Sequence, residues 1–168
     1  MQKEKYSDEI SGLKTCIRLK QKKIKLNKEF EVELVFKNIS KNPIRIYWIK
    51  TEFFRSFQSY FYLLADGKYN FLTDISPPHG YVVTEDDFHL IDPNKEIIFK
   101  QTLSIDSTKI KSNLIKPHLE WTYENNVAKW EGGKMTQDGP TKKLFSGDKI
   151  PYIWVGKINS IVEVKIIE

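Results

Sequence analysis

The feature that most limits this chain is a period of two. Phe30, Val32, Leu34 and Phe36 are apolar while Glu29, Glu31, Glu33 and Lys37 around them are charged, the alternation of a strand with one buried and one wet face. Leu13, Thr15, Ile17 and Leu19 repeat it, continued by Ile24 and Leu26 after a polar bend. So do Ile97, Phe99, Gln101 and Leu103, and then Leu119, Trp121 and Tyr123. Turn-forming residues punctuate these runs at Asn38 to Pro43, at Asp66-Gly67 and at Asp92 to Lys95. The pattern predicts an all-β chain folded as an antiparallel sandwich or barrel.

The longest alternating face is the last one: Tyr152, Trp154, Gly156, Ile158, Ser160, Val162, Val164 and Ile166. Straight, it would run about 50 Å, far beyond an ordinary strand, so it must bend or change sheet. Gly156 lacks a Cβ where the backbone bends or a neighbouring ring needs room, and Ser160 is small enough to mark a second bend. The expectation is one nearly continuous C-terminal strand kinked around 156–160, with Trp154 over the core.

Asp66-Gly67 predicts a hairpin with arms at 59–64 and 69–72, since both residues tolerate positive φ. Upstream, 51–57 fits irregular chain or one short helical turn. Residues 73–87, which carry Pro77-Pro78 and Gly80, and residues 105–116 are expected as connections. No period is sustained from 125 to 149, where Gly132, Gly133, Gly139 and Gly147 fall; so long an unpatterned run in a compact domain tends to be functional.

The C-terminal WVGKINS stretch, with Trp154, Gly156 and Ser160, followed by the alternating IVEVKII, resembles the Trp-x-Gly-x-x-x-Ser ending of bacterial immunoglobulin-like accessory domains. VELVFKNISKNPIRI resembles their second and third strands, FYLLADGKY their Asp-Gly hairpin, and HLIDPNKEIIFKQTLSI their turn and following strand. The resemblance spans nearly the whole chain and leaves 125–149 as an inserted loop. It implies an immunoglobulin-like antiparallel β-sandwich of about seven to nine strands, and binding rather than catalysis.

At 168 residues the chain fits a single domain that needs no metal or disulfide, with 1–11 as a flexible N-terminal segment. The lone Cys16 is read as a small core or near-core residue. The net charge is +5, but only Arg18, Arg45 and Arg55 are arginines, and readers of phosphate and bases favour the guanidinium. Lys23 and Lys25 flank Ile24 as the solvent side of a strand would, so no nucleic-acid partner is expected. No apolar stretch is long enough to span a membrane, and MQKEKYSDE has no hydrophobic leader core, so the chain reads as soluble. An exported domain whose leader had been exchanged for Met1 would read the same way, which leaves the compartment open.

Nucleophile elbows, phosphate-binding glycine loops and metal-ligand spacings are absent, so no cofactor and no enzymatic activity are expected. The rival is a hydrolase or metal-dependent enzyme in which the fold alone pairs His89 or His118 with a carboxylate. His79, Asp86, Asp87 and His89 are the candidates for a metal ion, against the plainer reading of a solvated acidic loop. The rings of Tyr47, Trp48, Phe53, Phe54, Phe57, Tyr60, Phe61 and Tyr62 could form a sugar-stacking platform or a dimer patch, although a strand covered on both sides is the favoured reading.

The leading expectation is a non-enzymatic module that binds a protein or glycan through loops at one end of the sandwich. The 125–149 loop is foremost, and Trp130, Glu131, Lys134, Met135 and Phe145 are its contacts, as rigid rings framed by glycines suit a binding loop. Trp130 folded back as a plug over the core is the structural alternative. A second binding reading resembles the intracellular proteinase inhibitors of similar architecture, which would place a loop in a protease cleft.

Overall fold

The computed structural model describes residues 5–21, 23–51, 55–73, 83–110, 114–127, 135–136, 139–140 and 153–167. In chain order its strands are β1 (Leu13–Leu19), β2 (Lys23–Lys25), β3 (Glu29–Asn38), β4 (Ile44–Tyr47), β5 (Ser59–Ala65), β6 (Lys68–Phe71) and β7 (Phe88–Ile91). They continue with β8 (Glu96–Ser104), β9 (His118–Asn125), β10 (Met135–Thr136), β11 (Gly139–Pro140), β12 (Gly156–Glu163) and β13 (Lys165–Ile167). The fold is an all-β sandwich. An antiparallel sheet in the order β1-β3-β8 faces a second antiparallel sheet in the order β12-β9-β5-β6. Helical structure among the described residues is limited to short turns such as 85–87 and 107–109, so none of it is long or apolar enough to cross a membrane.

The alternation in sequence is the reason the sheets meet. Val32, Leu34 and Phe36 of β3 and Leu119, Trp121 and Tyr123 of β9 are fully buried between them. Phe36 lies at the centre, edge-on to Trp48, Trp121 and Tyr123 with ring centroids 5.5, 5.2 and 4.8 Å away. Each such ring removes roughly 150–250 Å² from water, several kcal/mol of stabilisation at about 25 cal/mol per Å². Asp66 (φ 50°) and Gly67 (φ 69°) take the two left-handed positions of a two-residue turn, which fixes the β5–β6 register at Tyr62 opposite Phe71.

The C-terminal segment departs from the expectation of one kinked strand. Gly156–Glu163 pairs with β9 along its whole length, the chain breaks at Val164, and β13 then joins β2 in parallel, with Ile166 beside Ile24. The sheet change therefore falls after β12 rather than within 156–160. Ser160 marks no bend: its hydroxyl meets that of Thr15 on β1 at 2.6 Å, a buried bond from sheet to sheet. Gly156 has φ 154°, and a Cβ there would lie 2.9 Å from the Trp154 ring, so the missing side chain makes room for that ring. The parity of the face survives, with Trp154, Ile158, Ser160 and Val164 all buried.

Residues 5–11 run beside β1. Ser7 donates its backbone N–H to Thr15 at 2.7 Å, and Ile10 and Leu13 exchange two bonds of 3.0 Å. The Trp154 indole donates to the Ile10 carbonyl at 2.9 Å.

Candidate functional site

Three long connections have their stems at one end of the sandwich: 48–58 between β4 and β5, 72–87 between β6 and β7, and 126–155 between β9 and β12. There β4 is buried on both sides. Ile44, Ile46 and Trp48 face the main core, while Tyr47 and Ile49 join Val83 and Ile153 in a second apolar cluster, with Phe88 and Val127 packed against it. The Tyr47 and Phe88 rings stack at 4.9 Å. One cluster thus receives at least one side chain from each of the three connections: Ile49, Val83, and both Val127 and Ile153.

Buried polar groups clasp the same stems, because irregular chain leaves backbone donors and acceptors that β-ladders do not satisfy. Asp87, in the single turn at 85–87, accepts from Lys50 N–H at 3.2 Å and Thr84 N–H at 2.8 Å, while its carbonyl accepts from Trp48 N–H at 2.7 Å. That ties 48–50 to 84–87. Asn125 donates to the Val127 and Trp154 carbonyls at 3.1 and 2.6 Å and accepts from Val127 N–H, joining the two stems of the 126–155 connection. Arg45 bridges Ile153, and Trp154 N–H donates to Arg45 at 2.7 Å. Arg55 donates to the Ile49 carbonyl at 3.0 Å and lies over the Trp48 ring at 4.4 Å. Tyr123 donates its hydroxyl to the Tyr47 carbonyl at 2.7 Å, and full burial pushes its pKa far up, so it stays a neutral donor.

Of the predicted loop contacts, Trp130, Glu131, Lys134 and Phe145 lie outside the described residues. Met135 pairs with Pro140, and Thr136 with Gly139, in the two-rung ladder of β10 and β11. His79 also lies outside the described residues. Asp86 pairs with Lys50 at 2.8 Å, a hydrogen bond that holds its carboxyl below the usual value, and Asp87 is spent on backbone donors. His89 sits on β7 with its ring edge-on to Phe99 at 4.9 Å and its Nε2 buried without a partner. Burial lowers its pKa against the opposing pull of Asp87, so the ring is neutral at pH 7. Among the described residues no group of three metal-ligating side chains forms, and neither His89 nor His118 is hydrogen-bonded to a carboxylate.

The aromatic residues divide by parity. Tyr47, Trp48 and Phe61 are buried, Phe57 is exposed, and Phe53 and Phe54 lie outside the described residues. Tyr60 and Tyr62 point away from the core on the outer face of the four-stranded sheet, with Tyr69 and Phe71 of β6 beside them. The sequence held that signal: the Asp-Gly turn fixes the register, and the register puts all four rings on one face. The clasps Asp87, Asn125 and Arg55 had no such signal, since their partners are backbone groups of distant loops. No family model matches the chain, and no curated protein matches it.

Proposed function

We propose that the protein is a non-enzymatic recognition module that binds a protein or glycan partner through the loops at this end, the 125–149 segment foremost. The observation that carries the reading is the shared cluster, in which Ile49, Val83, Val127 and Ile153 come from separate stems yet pack together with Tyr47 and Phe88. Loops with fixed stems lose less conformational freedom on closing around a partner, which favours recognition over mere linkage. Trp130, Met135 and Phe145 are the anchors in this reading, with Glu131 and Lys134 at the polar rim. The resemblance to bacterial immunoglobulin-like accessory domains agrees with it, because such sandwiches carry recognition loops at their ends.

The test replaces 126–148 with a short Gly-Ser bridge and compares both forms as baits in lysate and culture medium of the source organism. The bridged form should stay folded, since loop length alters closure entropy by only about 0.6 kcal/mol per doubling, and should melt somewhat lower for the loss of Val127 from the cluster. A partner held by the intact chain and lost by the bridged form is the expected result. The same partners on both baits would overturn the reading. Stoichiometric inhibition of a protease by the intact chain alone would identify the partner as a protease.

A further inference from the structure

We infer that the outer face of the four-stranded sheet is a second binding site, one that takes a neutral glycan. One half of that face is aromatic: Tyr60, Tyr62, Tyr69 and Phe71 form a continuous patch with neighbouring ring centroids 5.0–6.4 Å apart. Tyr69 is 61% exposed. The other half is polar apart from Ile161, and the register sets the two side by side. One row across the sheet reads Phe71, Tyr62, Glu120, Ile161, and the next reads Tyr60, Thr122, Asn159.

Glu120 decides the occupant. Its neighbours Leu119 and Trp121 point into the core, so its own side chain points out onto this face, yet only 7% of it is exposed. Among the described residues its carboxylate has no hydrogen bond or ion pair, whereas Glu124 four residues on receives the Tyr60 hydroxyl at 3.2 Å and Lys157 at 3.6 Å. A protein surface seated here would strip water from an unpaired carboxylate, a cost of several kcal/mol unless it brought a matching cation, and interface centres are depleted in such charges. A sugar answers both halves. Its C–H faces stack on rings, as apolar area on an aromatic surface, and its hydroxyls are the donors the carboxylate lacks.

The charge of the face sets the class of glycan. Glu120, Glu124 and Glu163 outnumber Lys157, which already pairs with Glu124, so an anionic polysaccharide would be repelled and a neutral one would not. The site is also held in shape before any ligand arrives. The Tyr60 hydroxyl is fixed by Glu124, and Lys157 lies 5.7 Å from the Tyr60 ring centroid.

The experiment is calorimetric titration of the full chain with neutral hexasaccharides of glucose, xylose, mannose and N-acetylglucosamine, alongside an anionic polygalacturonate oligomer. At least one neutral oligomer should bind. Tyr69→Ala and Glu120→Gln should each weaken it about tenfold, the scale of one hydrogen bond to a charged group or one lost ring contact, with melting unchanged. The 126–148 bridged form should bind the same oligomer as the intact chain, so this inference and the end-loop reading fail separately. No neutral oligomer binding at millimolar concentration, binding untouched by both substitutions, or preference for the anionic oligomer would each overturn the proposal. So would a concentration-dependent dimer dissociated by Tyr69→Lys, which would give the face to a second copy of the chain.

Discussion

The two outer faces of this sandwich treat charge in opposite ways. On the three-stranded sheet, Arg18 meets Glu96 at 2.9 Å, Lys100 meets Glu31 at 3.4 Å, and Lys20 bonds Glu31 and approaches Glu33 at 3.9 Å. Tyr6 lies over that lattice. Its hydroxyl donates to Glu96 at 3.0 Å, and Lys37 sits 5.3 Å from its ring centroid. Beneath the lattice the row Cys16, Val35, Ile98 crosses the sheet, its first two members buried although they point away from the core. The four-stranded sheet instead sets four rings beside Glu120 and leaves that acid without a partner among the described residues. A face that satisfies its own charges has no need of a partner. One that leaves an acceptor empty beside exposed rings can gain from one.

The largest expected effect tests what both faces share. Gly156→Ala would force a residue at φ 154° against the Trp154 ring, and roughly 3 kcal/mol should be lost, read as a fall in urea midpoint at constant slope. Thr15→Val should cost about 2 kcal/mol by leaving Ser160 without its buried partner, while Thr15→Val combined with Ser160→Ala should cost less than the sum of the single changes. The faces then separate. Tyr6→Ala should cost about 1 kcal/mol and speed the reaction of the Cys16 thiol with a disulfide reagent, whereas Tyr69→Ala on the other face should leave that rate unchanged.

Acid should weaken the paired face. Partial burial pushes the Glu96 carboxyl up, but the bonds from Arg18 and Tyr6 together outweigh it and hold the group below its ordinary value of 4.5. Its contribution is therefore complete above pH 4.5 and disappears as the pH falls through the lower folded value. Half-exposed as the pair is, the loss should be less than about 1 kcal/mol and absent in Arg18→Ala. The smallest effect is expected at Glu120. Glu120→Leu should change stability by at most about 0.5 kcal/mol or raise it slightly, because no partner is left behind.

Much of the architecture was legible in the sequence because it follows from parity. The inward row of β3, the Asp-Gly hairpin and the solvent-facing Lys23 and Lys25 around Ile24 all follow from period two. What parity cannot show is what lies on top of a strand. Cys16 and Val35 are buried although they point outward, on the face where Tyr6 reaches over to Glu96 and Lys37, and Tyr60 and Tyr62 look like core residues in sequence because both parities of β5 are apolar. Room for a neighbouring ring is one of the two reasons legible in sequence for Gly156, whereas Ser160, read as a bend, owes its place to a hydrogen bond between sheets. Of the loop contacts expected at the candidate end, only Met135 lies among the described residues. The stems are readable in structure and not in sequence, because a buried Asp, Asn or Arg takes its meaning from backbone groups that only the folded loops bring near.

The parallel joint between β2 and β13 also governs how the domain bears load. A pull that draws the chain before Lys23 one way and the chain beyond Ile167 the other slides these two strands past each other, so their bonds are strained together. An antiparallel pair gripped at the same ends would peel open one rung at a time. Val164, buried where the chain leaves one sheet for the other, passes that tension into β12 and its eight rungs with β9. A sandwich closed in this way resists traction along its length better than its short last strand would suggest.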